Sequence, residues 1–144
     1  MRGSVALEFL LVLLAVTVYA GVVMSAAQSV SRNVAEDLSK MVRTRIAMDK
    51  IYNAVQFLYS GADGSSTTVV FYVPSGVTIT LTGNSIEANV PTEGNFSSAA
   101  NCDGNYCQFK ITMLPLRFSE DVELSGGLYY QKIFQRVGNQ VKVS

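Results

Sequence analysis

An α+β fold, a long N-terminal helix followed by an antiparallel β-domain, is predicted by three observations. Residues 9–27 carry no charge, and the uncharged run continues to Ser31. The next thirty residues keep apolar side chains at three- and four-residue steps, and no Pro occurs before Pro74. From Thr67 the period becomes two, with β-branched and aromatic residues between Gly-, Pro- and Asn-bearing turns. A rod carrying one small domain fits a 144-residue, 15.6 kDa chain read this way.

The apolar run supplies the roughly 20 helical residues that a hydrocarbon layer of about 30 Å requires. It is therefore read as a membrane-spanning helix over residues 4–27. Arg2 is the basic residue on its short N-terminal side, which places the N-terminus in the cytoplasm and the remainder outside. A cleaved secretory signal is the competing reading, because Ser25 and Ala27 of "MSAAQ" are small residues suited to a signal peptidase, and the product would then start at Gln28. Two features oppose it: the apolar run exceeds the usual length of such signals, and Glu8 stands where a positive region is expected.

Past Ala27 the helix turns amphipathic over residues 28–60. Val30, Val34, Leu38, Met41, Met48, Tyr52, Val55 and Tyr59 form the apolar stripe, with Arg32, Glu36, Lys40, Arg43 and Asp49 largely between them. One helix from about Val5 to Ser60 is expected, with Gly21 its weak point at about 1 kcal/mol relative to Ala. "SGADGSS" ends it, Gly61 suiting a left-handed C-terminal cap.

Residues 61–144 then read as about six or seven short antiparallel strands. "TTVVFYV", "VTITLT" and "SIEANV", joined by "PSG" and "GN", are expected to form a meander. "CQFKITM", "RFSEDVEL", "LYYQKIF" and "VKVS" follow. One face of this sheet is expected to cover the C-terminal half of the helix, whose apolar stripe otherwise stands in water.

Composition excludes several functions. The chain is 49% apolar and 15% charged, with a mean hydropathy of +0.26, too hydrophobic for a disordered protein. Eleven bases balance eleven acids, and residues 61–144 hold seven acids to five bases, so no basic patch for nucleic acid is expected. The chain has no His and no Trp, which removes the commonest general base and the commonest neutral metal ligand. No phosphate-binding loop, nucleophile elbow or catalytic carboxylate pair stands out, and Phe71, Tyr72, Tyr129, Tyr130 and Phe134 sit at strand positions that packing explains. No catalytic residue, metal or cofactor is expected.

Three smaller features remain. Cys102 and Cys107 enclose the turn sequence "DGNY", and outside the cell a local disulfide is the natural reading, with two buried thiols as the alternative. Asn95 of "NFS" fits the glycan acceptor pattern. The acids of "SEDVE" match no full calcium loop and read as a solvated edge.

Glu8 is harder to place. A carboxylate costs roughly 2.5 to 3.5 kcal/mol at the centre of a membrane helix and less near the interface, and such groups usually have a partner. An interfacial acid beside Arg2 is one account; a cation brought by another chain is the other. The stretch "RGSVALEFLLVLLAV" resembles the class III signal peptide of archaeal type IV pilins, in which a short basic leader ending in Gly precedes a Q-x-S-x-E-F-like segment and the apolar helix. Ser4 stands where that family usually has Gln, and Ala6 where it has Ser.

The resemblance implies a leader over residues 1–3, removed by a prepilin peptidase between Gly3 and Ser4, with Glu8 and Phe9 acting in assembly. Glu8 would neutralise the new N-terminal amine of a neighbouring subunit. It further implies a helical homopolymer, extruded by an assembly ATPase and its membrane platform, whose helices form the core and whose β-domains form the cell-surface exterior used in adhesion. Before assembly the subunit waits in the membrane. Minor pilins of bacterial tight-adherence systems share the R-G-x-x-A-x-E-F opening but usually carry a Pro soon after it, which this chain lacks. A monomeric, single-pass, membrane-anchored binding module is the remaining alternative.

Overall fold

A computed structural model of the chain describes residues 2–93, 101–103, 105–112 and 116–144, with side chains described from Leu10 onward, Ser29 excepted. The fold is α+β, with one long helix followed by short strands in two sheets. It divides into two compact units, Met1–Ala35 and Glu36–Ser144.

Helix α1 runs unbroken over Arg2–Ser60, a segment free of Pro, so that each interior N–H retains its acceptor. It ends differently from the expectation. Gly61 does not take the left-handed conformation; the positive φ falls at Gly64, φ 84°. The Gly61 N–H donates to the carbonyls of Phe57 and Leu58, and the last carbonyls are taken up by a residue from elsewhere, Arg136.

The strands are β1 (Ser66–Val73), β2 (Thr78–Thr82), β3 (Ser85–Pro91), β4 (Cys102–Asp103), β5 (Tyr106–Thr112), β6 (Arg117–Phe118), β7 (Val122–Ser125), β8 (Leu128–Val137) and β9 (Gln140–Val143). Nine strands are therefore described where six or seven were expected. The additional ones are the short β4 and the splitting of "RFSEDVEL" into β6 and β7, which join different sheets. One sheet has the order β1-β8-β9-β6 and the other β4-β5-β3-β2-β7. All pairings are antiparallel except β6 with β9.

The expected meander holds in part. β2 and β3 form a hairpin across "GN", where Gly83 has φ 52°, the positive φ that a two-residue hairpin loop demands at its first position. β1, however, pairs with β8 and not with β2. The "PSG" turn instead carries the chain from one sheet to the other, closed by the Val77 N–H donating to the Pro74 carbonyl at 3.1 Å. The return crossing at residues 126–127 lies against it. A Cβ on Gly126 would come 2.0 Å from the Pro74 oxygen and 2.8 Å from that of Val77, so only glycine fits.

Alternation in the strands directs Phe71 and Val73 of β1, Ile79 and Leu81 of β2, Ile86, Ala88 and Val90 of β3, and Phe134 of β8 into one core. The helix contributes Ala47, Met48, Ile51, Val55 and Leu58 to it. Its buried face is rotated from the expected stripe. Met48 and Val55 are buried as expected, but Leu38 and Tyr59 are 49% and 46% exposed, while Asp37 and Thr44 are buried in their place. Each polar intruder is satisfied: the Thr44 hydroxyl donates to the Lys40 carbonyl, and Asp37 Oδ2 accepts the Glu93 N–H at 2.8 Å with Lys40 Nζ 3.8 Å from Oδ1.

Candidate functional site

The segment that carries the sequence motif lies inside α1. Gly3, Ser4, Glu8 and Phe9 all have helical backbone, so Ser4 and Glu8 are four residues apart on one helical face. Beyond them, the apolar stretch over residues 10–28 is exposed among the described residues. Leu10, Val12, Val16, Tyr19 and Met24 are among side chains that stand half to three-quarters exposed. Its two hydroxyls with described bonds spend them on their own helix: Thr17 donates to the carbonyls of Leu13 and Leu14, and Ser25 to that of Val22. This is the arrangement an environment without water requires. By length and composition α1 is able to cross a membrane.

The Glu36–Ser144 unit holds the remaining candidates. Cys102 and Cys107 face each other across β4 and β5, with Cα atoms 4.0 Å apart, and form a disulfide. Asn95 lies outside the described residues. Glu120, Asp121 and Glu123 of "SEDVE" are exposed, and Asp121 Oδ1 accepts the Thr82 hydroxyl at 2.6 Å. Among the described residues no three His, Cys, Asp or Glu side chains converge as metal ligands.

On the outer face of the second sheet, Lys110 Nζ lies 2.7 Å from Glu87 Oε1, the two being direct cross-strand partners. The hydrogen bond from Lys110 holds the Glu87 carboxyl below the ordinary glutamate range, with partial burial opposing it, and the Lys110 charge and the Ser85 hydroxyl adding to it.

Two features escaped the sequence reading. Arg136 Nη1 reaches the carbonyls of Gly61, Tyr59 and Leu58 at 2.6, 3.0 and 3.4 Å, supplying the cation that the last turn of α1 lacks. Arg43 and Lys50, two turns apart on α1, line a groove of about 330 Å³ against Val70, Phe71, Tyr72 and Tyr129. The sequence signal available for this groove was two unpaired bases seven residues apart; the wall opposite comes from distant strands.

Comparison with protein-family models, with curated proteins and with solved structures found no match for this chain.

Proposed function

We propose that the chain is a structural subunit of an extracellular, archaeal type IV-like filament. The observation that carries this reading is an apolar helical segment, exposed along residues 10–28 within its own chain and headed by the acid Glu8. Such a surface needs lipid around it, or copies of itself. Transfer of apolar area from water is worth about 25 cal/mol per Å², so helices packed side by side gain in cohesion once water surrounds the assembly.

Before assembly, the subunit sits in the membrane with its N-terminus in the cytoplasm and its β-unit outside. Hydrolysis of the Gly3–Ser4 bond by a prepilin peptidase leaves a carboxylate on the leader and an ammonium group on Ser4. That ammonium is the cation Glu8 of a neighbouring subunit requires, since an acid drawn into an apolar core without a partner is costly. The assembly ATPase and platform then add subunits one by one, each contact heterologous, which gives an open helical polymer. The β-units form the surface and carry adhesion.

Substitution at Glu8 tests the role directly. Glu8→Ala and Glu8→Gln remove the charge and are expected to abolish or sharply reduce filament yield, while the Cys102–Cys107 disulfide and the thermal unfolding of the β-unit stay as in the parent. Filament yield equal to the parent contradicts the assigned role.

A further inference from the structure

The groove beside α1 is charged on one wall and aromatic on the other. Arg43 and Lys50 project from the helix about 10 Å apart along its axis. Ile46 and Ala47 lie between them, and Val70, Phe71, Tyr72 and Tyr129 close the opposite side. Tyr129 is 79% exposed and packs on Tyr72 with ring centroids 4.8 Å apart. Lys50 Nζ donates to the Val70 carbonyl at 3.0 Å, blunting the free edge of β1 and leaving two ammonium protons for an incoming acceptor.

The neighbouring cations on this part of the helix are neutralised: Lys40 lies 3.8 Å from Asp37 and Arg45 lies 3.2 Å from Asp49. Among the described residues Arg43 and Lys50 have no carboxylate within ion-pair distance. The acids of the same unit that form no ion pair include three close together in sequence and away from this groove. Glu120 and Asp121 are exposed in the turn between β6 and β7 and Glu123 is exposed on β7 itself, and among the described residues none of them forms an ion pair.

Positions along β8 relate the two surfaces. Tyr129 marks the groove at the start of β8. The acidic turn is tied to the other end, because the Ser119 N–H donates to the Val141 carbonyl at 3.0 Å and Val141 is the cross-strand partner of Arg136. Seven residues of strand separate Tyr129 from Arg136, about 23 Å. A basic groove and the Glu120–Asp121 turn, tied to opposite ends of β8, do not satisfy each other within a copy; they match between copies.

We propose that the Arg43–Lys50 groove receives the acidic 119–123 segment, the turn after β6 and the start of β7, of a second copy of the chain, in a head-to-tail contact between β-units. This rests on the self-assembly reading above and names one of its contacts. The contact is heterologous, so each copy that binds still offers one free groove and one free turn, the condition for an open polymer. Complementary charge of this kind sets register and orientation more than it sets affinity.

The test uses the full chain in detergent micelles, with isotopically light and heavy copies mixed and treated with a water-soluble carbodiimide, which joins amines to adjacent carboxylates. Mixed-isotope cross-links from Lys50 to Glu120, Asp121 or Glu123 are expected; cross-links confined to other lysines, or none between copies, overturn the proposal. The charge-swap arm is independent. Arg43→Glu with Lys50→Glu removes the reporting amine and is expected to leave mixed-isotope cross-links to Glu120, Asp121 and Glu123 at background. Mixing that variant with a Glu120→Lys, Glu123→Lys chain, which retains the Asp121–Thr82 bond, is expected to restore at least half of the parent yield, now between the amines introduced at 120 and 123 and the carboxylates introduced at 43 and 50. A folded pair, by unchanged thermal unfolding, that gains nothing on mixing overturns the contact. The readout precedes any filament, so absence of this chain from surface fibres counts against the filament reading alone, whereas fibres lacking the Lys50 cross-link count against the contact alone.

Discussion

The guanidinium of Arg136 donates to the carbonyl of Gly61 across 2.6 Å, so a residue of β8 closes the C-terminal end of α1. The same strand receives the chain as it leaves the helix: Gly64 N–H donates to the Arg136 carbonyl, Arg136 N–H donates to that of Ser65, and the Gly138 N–H donates to Asp63 Oδ1. The helix end and the β8–β9 hairpin are thereby one hydrogen-bonded structure.

Removing this cap should be costly. A hydrogen bond to a charged group contributes about 1.5–3 kcal/mol, and several are lost together with the favourable cation at a helix C-terminus. Arg136→Ala is expected to destabilise the Glu36–Ser144 unit by about 2–3 kcal/mol in chemical unfolding of the full chain. Arg136→Lys should recover less than half, since a single ammonium cannot serve the helix-end carbonyls and the Gly138 carbonyl together, as Nη1 and Nε of the planar guanidinium do.

Gly126 gives a sharper test of the sheet-to-sheet crossing. Its missing Cβ leaves room for the Pro74 and Val77 carbonyls, and any side chain must displace backbone. Gly126→Ala is expected to cost on the order of 3 kcal/mol, at the upper end for overpacking. Gly21→Ala, where an added Cβ meets nothing within 4 Å, should leave the melting temperature unchanged or raised.

The rotated helix face is checked by a pair of adjacent residues. Asp37→Ala leaves the Glu93 N–H without its carboxylate acceptor and is expected to cost about 1–3 kcal/mol. Leu38→Ser, at an exposed position, should stay within about 0.5 kcal/mol in monomeric, detergent-solubilised protein. The hydrophobic stripe read from sequence predicts the reverse order.

Acid should weaken the Glu87–Lys110 pair in a defined direction. The Glu87 carboxyl titrates lower in the folded chain than in the unfolded one, so its contribution is complete above the ordinary glutamate range and is lost as pH falls through the depressed value. Both groups retain solvent contact, 27% for Glu87 and 59% for Lys110, so the effect stays within about 1 kcal/mol. Glu87→Gln should flatten the acid limb of the stability curve between the two pKa values and leave stability above pH 6 lowered by the same amount.

These contrasts mark where the sequence was legible. The absence of Pro before Pro74 and the sustained apolar spacing were enough for α1, and the "GN" dipeptide was enough for the β2–β3 hairpin, because both are local choices. The Cys102–Cys107 pair was readable for the same reason, its two strands being joined by a short turn. What pairing β1 would find was not local: its partner β8 lies more than fifty residues on, and nothing in "TTVVFYV" distinguishes it from β2 as a neighbour. Helix orientation failed for a related cause. Counting hydrophobicity put Leu38 inward, whereas Asp37 is drawn in by a backbone donor at Glu93, fifty-six residues away. Of the candidate sites, the Glu8 motif was wholly a sequence observation, and the Arg43–Lys50 groove was invisible until Tyr72 and Tyr129 supplied its far wall.

The central claim is that copies of this chain build a surface filament, and direct N-terminal sequencing of the protein in fibres sheared from cells tests it most directly. The account predicts that the chain is recovered in the fibres and that its first residue is Ser4. Recovery only in the membrane fraction with Met1 to Gly3 retained, or as a soluble product beginning at Gln28, would contradict it.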